Sequence, residues 1–152
     1  MASLTIDTPT GPVLVTEQGG QIVRLEWQHK TRHADPSPVL QQARRQIQEY
    51  FEGQRTTFDL PLAPPGGLFQ RTVCEQIRQI PFGETTTYGE IAKRLGVSAQ
   101  AVGRACGGNP IPLIIACHRV LASNGLGGFS GGVGIETKVQ LLRHEGAGGL
   151  LI

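Results

Sequence analysis

Three groups capable of chemistry stand side by side at the end of an apolar run. Ile111-Pro112-Leu113-Ile114-Ile115-Ala116 leads directly into Cys117-His118-Arg119-Val120. Burying a strand does not call for a thiol, an imidazole and a guanidinium in succession. A nucleophilic cysteine does, because the thiolate is the reactive form and a nearby base or cation favours it. Cysteine is also among the most buried residue types, and many buried thiols are inert. The local sequence leaves catalysis and plain core packing both open. The run itself reads as a buried strand. Successive side chains of a regular strand point to opposite faces, so a working Cys117–His118 pair needs irregular backbone or a bridging water.

The elements that must position these groups come from the rest of the chain. Its 152 residues fit one or two small domains and can bury a real core. No long apolar run and no basic-then-apolar leader is present, which predicts a soluble, non-secreted protein without a membrane partner. Cys74, Cys106 and Cys117 cannot all pair, and their spacing is not that of metal ligands, so a reduced, cytoplasmic setting is expected. Residues 1–67 carry six basic and seven acidic side chains, net −1; residues 68–152 carry eight and five, net +3. That tilt favours an acidic partner for the second half only weakly.

The predicted fold class is α+β: a small N-terminal sheet-plus-helix domain, then a mostly helical C-terminal domain with a helix-turn-helix and the reactive cysteine. Strands are expected at Leu4–Ile6, Val13–Val15 and Ile22–Trp27, separated by turns at Pro9-Thr10-Gly11 and Gly19-Gly20. His29 and His33 lack further ligands nearby and read as solvated loop residues. Pro38 opens a helix to Phe51 with Val39, Ala43, Ile47, Tyr50 and Phe51 on one face. Thr56–Leu60 reads as a last short strand. The stretch Pro61–Gly67 holds three prolines and two glycines and contains the linker. The expected organisation is therefore 1–62 as a support domain, 63–67 as linker and 68–152 as the reactive domain. In the latter, Phe69, Val73, Ile77 and Ile80 share a helical stripe with Cys74 as filler beside it. Thr86 or Thr87 caps a helix to Leu95, Gly96-Val97-Ser98 turns, and Ser98 caps a third helix through Cys106. A last helix over 135–144 is expected to bury Ile135, Val139 and Leu142, with Glu145 at its end. A carboxylate there opposes the helix dipole and wants a partner.

From Phe69 to Glu145 the chain resembles the C-terminal domain of the methylated-DNA–protein-cysteine methyltransferases, the O6-alkylguanine-DNA alkyltransferases. The matching pieces are Ile80-Pro81-Phe82-Gly83-Glu84, Thr87-Tyr88-Gly89-Glu90-Ile91-Ala92, Ala101-Val102-Gly103, Asn109-Pro110-Ile111-Pro112, Cys117-His118-Arg119-Val120 and Ser130-Gly131-Gly132. They stand in family order at near-family spacing over half the chain. Two departures matter. The family signature reads Pro-Cys-His-Arg where this chain has Ala116, and the arginine that fills the vacated base stack is here Gln100.

The resemblance implies single-turnover repair of double-stranded DNA carrying O6-alkylguanine, by a monomer with no metal or organic cofactor. The base must be flipped into a pocket, because its O6 substituent is out of reach inside the duplex. By resemblance Cys117 is the nucleophile, His118 the general base through a water, Glu145 the orienter of that base, and Tyr88 the group that crowds the phosphate, contacts the flipped base and donates a proton. Thr87, Tyr88, Ser98, Ala99, Gln100, Ala101, Gly103 and Arg104 would face DNA, the small side chains suiting a minor groove. Asn109 would be the hinge between the helix-turn-helix and the active-site turn. Phe129 and Ser130 belong to a lid in a stretch with six glycines between Asn124 and Gly134. The Val120 carbonyl would take the guanine amino group, and Arg119, grouped with the substrate-facing residues, is expected mainly to bond carbonyls of the turn. Two other readings stay open on sequence: a non-catalytic lesion-binding protein of the alkyltransferase-like type, and a thiol hydrolase, which lacks an oxyanion-hole motif.

Overall fold

The structure is a computed structural model, and it describes residues 1–28, 36–129, 131–132 and 134–147. The chain forms two compact units, Met1–Pro65 and Gly66–Ile152.

In the first unit β1 (Ala2–Ile6), β2 (Val13–Gln18) and β3 (Gln21–Trp27) form an antiparallel meander. Its register pairs Leu4 with Val15, Ile6 with Val13 and Val15 with Leu25. Alternation therefore places these apolar residues on one face. Helix α1 (Pro38–Phe51) packs against that sheet through Val39, Leu40, Ala43, Ile47 and Tyr50, with Ser37 as N-cap and proline at its first position. The expected strand at Thr56–Leu60 does not form. Gln46 on α1 holds Asp59 instead, its Nε2 donating to the Asp59 carbonyl (2.9 Å) and its Oε1 accepting from the Asp59 amide (2.8 Å). A side-chain amide thus occupies the bonds a neighbouring strand would have used. Pairing with the sheet comes just beyond, where Ile22 bonds the Pro61 carbonyl and the Ala63 amide.

The second unit is built from helices. Helix α2 (Leu68–Arg78) buries Val73, Cys74 and Ile77 and ends two residues before Ile80. Phe69, expected inward, is partly exposed. Strand β4 (Thr86–Thr87) leads into α3 (Tyr88–Leu95), with Thr87 as cap and the left-handed Gly96 as stop. Ser98 caps α4 (Ala99–Gly107), completing the helix-turn-helix.

The apolar run at Ile111–Val120 is not a strand. Pro112 has no amide to donate, Leu113 adopts φ +74°, and the chain winds through turns before one 3-10 turn over Cys117–Arg119. Only β5 (Val120–Leu121) is extended, pairing parallel with β4. The alternation that would have turned Cys117 and His118 to opposite faces is thereby removed.

Helix α5 (Ile135–His144) has the expected bounds but a different inner face. Leu142 is buried as expected, but Ile135 is 47% exposed and Val139 half-buried, and Thr137, Lys138 and Leu141 complete the inner face. Lys138 turns inward because its ammonium finds the Val120 and Gly128 carbonyls.

Candidate active site

Cys117 sits where a backbone fold and a side-chain staple converge. Ala116, at φ −78° and ψ 63°, is the centre of an inverse γ-turn closed by the Cys117 amide on the Ile115 carbonyl (2.7 Å). Asn109 fastens this turn to the end of α4: its Nδ2 donates to the Ile115 carbonyl (2.8 Å) and its Oδ1 accepts from the Ile111 amide (3.0 Å). Those bonds explain how buried polar backbone survives without a sheet. The φ of Ala116 lies within proline's range. Ala116→Pro is therefore expected to stabilise the fold by about 0.4–1 kcal/mol through the unfolded chain, read as a higher urea midpoint.

Behind the cysteine lies a buried charge network. His118 is fully buried, and its Nε2 lies 2.7 Å from Glu145 Oε2. Arg119 grips the same carboxylate with two prongs, Nε to Oε1 (2.8 Å) and Nη2 to Oε2 (3.0 Å), while Nη1 donates to the Ile80 carbonyl (2.7 Å). The acid at the end of α5 thus has the partners its position calls for. Burial alone would raise the Glu145 carboxyl, but hydrogen bonds from His118 and Arg119 outweigh it and hold the group at about 2. Burial pushes the His118 imidazole below its ordinary value, against the pull of Glu145, so it is neutral at pH 7. An ionised carboxylate only accepts, so the single imidazole proton sits on Nε2 and Nδ1 is left as an acceptor. Among the described residues His118 Nδ1 has no hydrogen-bond partner.

A cavity of about 340 Å³ opens at the thiol, lined by Tyr88, Gly103, Cys106, Gly107, Cys117, Gly128 and Phe129. Its size lies at the small-ligand end of the ~300–1,000 Å³ range. Burial pushes the Cys117 thiol up to about 11, with the Asn109 side chain and the Lys138 charge pulling the other way. Burial likewise lifts the Tyr88 phenol and the Cys106 thiol to about 12 each. At rest the cavity is therefore lined by protonated sulfur and oxygen, with a neutral imidazole buried behind it.

Of the residues singled out from sequence, Tyr88, Gly103, Cys117 and Phe129 line this cavity together. Asn109, His118, Arg119 and Glu145 form its buried support, and the guanidinium of Arg119 is taken up by Glu145 and Ile80. Thr87 and Ser98 are helix caps, accepting from Glu90 and Ala101 amides (3.1 Å each). Ala99, Gln100 and Arg104 are exposed and Ala101 half-buried on α4. Ser130, with His29 and His33, lies outside the described residues. Among the described residues no group of three or more His, Cys, Asp or Glu is placed to hold a metal.

Sequence reasoning missed three features. Cys106 and Gly107 share the cavity with Cys117, a placement that the i, i+3, i+4 spacing from Gly103 would have signalled. Lys138 is fully buried, with Nζ donating to the Val120 carbonyl (2.8 Å) and the Gly128 carbonyl (3.2 Å), so the Val120 oxygen is already engaged. Gly127, at φ +73°, lies so close to Tyr88 that a Cβ there would stand 2.8 Å from the phenol oxygen and 3.0 Å from Cε2. Gly127→Ala is accordingly expected to cost about 1–2 kcal/mol for the left-handed backbone. Displacing Tyr88 by an ångström should slow any reaction in the cavity up to about a hundredfold, read in single-turnover rates.

Residues 68–147 match the family described as 6-O-methylguanine DNA methyltransferase, DNA binding domain, and residues 1–64 match its ribonuclease-like domain. The chain belongs to the 6-O-methylguanine DNA methyltransferase family. A methylated-DNA–protein-cysteine methyltransferase of Methanosarcina acetivorans is 40% identical over 151 residues, covering 93% of this chain and 96% of that protein. A constitutive enzyme of that name from Bacillus subtilis is 36% identical over 154 residues, covering 93% of each. The crystal structure of the Mycobacterium tuberculosis O6-methylguanine methyltransferase in complex with DNA superposes with a TM-score of 0.84 at 40% identity, covering 95% of this chain and 92% of that one. The enzyme class of this family, methylated-DNA–protein-cysteine methyltransferase, is the class of this chain, and its activity is alkyl transfer in DNA repair. No helix among the described residues is long and apolar enough to cross a membrane.

Proposed function

We propose that this methyltransferase repairs O6-alkylguanine in duplex DNA by turning the base out into the Cys117 cavity and moving its alkyl group, once and irreversibly, to the Cys117 sulfur. The observation that carries this reading is the Cys117 thiol on an open cavity, next in sequence to a buried imidazole whose remaining acceptor nitrogen is uncommitted. Glu145 holds the proton on Nε2 of His118, so Nδ1 receives the thiol proton through a water. The sulfur then attacks the alkyl carbon, the carbon–O6 bond breaks, and its electron pair leaves with guanine. A phenol held at about 12 keeps its proton. Tyr88 therefore helps the leaving purine as a hydrogen-bond donor, and the proton carried by His118 is the one that neutralises it. The product thioether has no hydrolysis route in this site, which makes the reaction stoichiometric and asks for no cofactor. The chain would act as a monomer.

For DNA contact, α4 offers a nearly bare outer face, with Gln100 and Arg104 its long exposed side chains. Thr87, Tyr88, Ser98, Ala99, Ala101 and Gly103 would lie against the minor groove. A Cβ added at Gly103 meets nothing within 4 Å, so close approach there is open to the DNA and not filled by protein. Gln100 takes up space in the emptied stack but brings no charge. Gln100→Arg is expected to tighten duplex binding roughly fivefold or more, the equivalent of ~1 kcal/mol of stacking. Unchanged affinity in a fluorescence titration rejects this role for position 100.

The deciding experiment incubates the full chain with duplex DNA containing O6-methylguanine and weighs the intact protein. A gain of one methyl per chain, saturating at one equivalent, is expected. Tight binding without any gain in mass would instead identify a lesion-binding protein.

A further inference from the structure

Lys138 is a buried cation that the mechanism above does not use. It has no solvent exposure, and two of its three N–H bonds go to the Val120 and Gly128 carbonyls. The ammonium stands 5.8 Å from the centre of the Tyr88 ring. Burying a charge this way is costly unless an opposite charge meets it. Among the described residues no carboxylate pairs with it: Glu145, two turns further along α5, is taken by Arg119 and His118. Tyr88 and Gly128, its neighbours, line the same cavity as Cys117.

We infer that Lys138 is the built-in counter-charge for the Cys117 thiolate, a positioning residue that keeps a cation in place for negative charge that exists only during the reaction. The inference rests on Cys117 being the nucleophile. The titratable groups acting on that sulfur are Lys138 on α5, Cys106 on α4, Cys74 on α2 and Tyr88 on α3, and the His118–Glu145–Arg119 network is buried behind the turn that carries it. Burial raises the Cys74 and Cys106 thiols and the Tyr88 phenol, which keeps them neutral. His118 is neutral, and Arg119 cancels Glu145. What remains is one net positive charge, Lys138. Burial lowers its own affinity for a proton, while thiolates at Cys117 and Cys106 would strengthen it. A preorganised charge of this kind favours the charged transition state without reorganisation. The two carbonyl bonds fix where it sits, between Val120 at the end of the active-site turn and Gly128 on the cavity wall.

The test reads thiol chemistry without DNA, so its failure is separate from any failure of alkyl transfer from O6-methylguanine. The full chain, Lys138→Met, Lys138→Gln and Lys138→Arg are reacted with iodoacetamide across a pH series, and carboxamidomethylation of the Cys117 peptide is followed by mass spectrometry. Removing the charge is expected to raise the apparent pKa of Cys117 by about one unit or more. The rate at neutral pH should then fall about tenfold, with the high-pH plateau unchanged. Lys138→Arg should stay near the native profile. Lys138→Gln keeps a hydrogen-bond donor for the carbonyls and so separates charge from tether, and it serves if Lys138→Met does not fold. An unmoved apparent pKa in folded Lys138→Gln overturns the inference. So does a uniform loss of rate at every pH, which is the signature of a purely structural tether.

Discussion

Cys117→Ala abolishes uptake of the methyl group from O6-methylguanine DNA, with the protein still folded and still binding the duplex: this is the largest effect expected of any single substitution here. Alanine removes only the sulfur, and Cys117 is 6% exposed in an apolar setting where it packs as a small hydrophobe. The stability cost should be about 1 kcal/mol, comparable to deleting one buried methylene. The Asn109 bonds to Ile115 and Ile111 and the His118–Glu145–Arg119 network stay in place without the sulfur, and Asn109 gives up only its hydrogen bond to the thiol. Intact mass after incubation reads the chemistry, thermal melting reads the fold, and a fluorescence titration reads the binding. The cavity holds a second thiol, Cys106, which burial also pushes up. Methyl uptake that persisted in Cys117→Ala would move the nucleophile there and overturn the assignment.

Glu145→Gln should lose both stability and rate. The amide matches the carboxylate in shape but leaves Arg119 buried beside a neutral group and presents an N–H toward one of its former donors. Breaking a buried pair in this way costs roughly 3–5 kcal/mol. The same change frees the Nε2 proton of His118 to move to Nδ1, which deprives Cys117 of its base; a fall of about 10²–10⁴ in single-turnover rate is expected. The pH dependence follows from the sign of the shifts. Glu145 is depressed in the folded chain to about 2 from 4.5. Its contribution, on the order of 3 kcal/mol, is full above the unfolded value and lost as pH falls toward 2. His118 is also depressed on folding. It too binds protons more readily when unfolded, so stability declines as pH drops below its ordinary 6.5. Native protein should therefore lose stability in two stages on acidification. Glu145→Gln should begin lower and lack the second stage. Urea midpoints measured from neutral to acid pH test this, and an unchanged acid limb in the variant would refute it.

Some of this protein was written in local pattern. The meander of β1–β3, the face of α1, the caps Thr87 and Ser98 and the bounds of α5 depend on near neighbours, on periodicity and on turn chemistry, and those signals are short-range. Cys117 and His118 were legible because their chemical types are out of place at the end of an apolar run, and Asn109 because the family spacing includes it.

Only the tertiary structure decided the rest, for one recurring reason: a long-range partner replaced the local rule. Gln46 captured Asp59 and cancelled a strand. Asn109 carried the bonds of a segment that hydropathy alone assigns to a sheet. Lys138 was drawn inside by two carbonyls far away in sequence, turning α5 away from its most apolar stripe. Glu145 found an arginine and an imidazole 26 and 27 residues away. Composition and spacing name the groups that can react, but burial and pairing set their charge, and those arise only when distant parts of the chain meet.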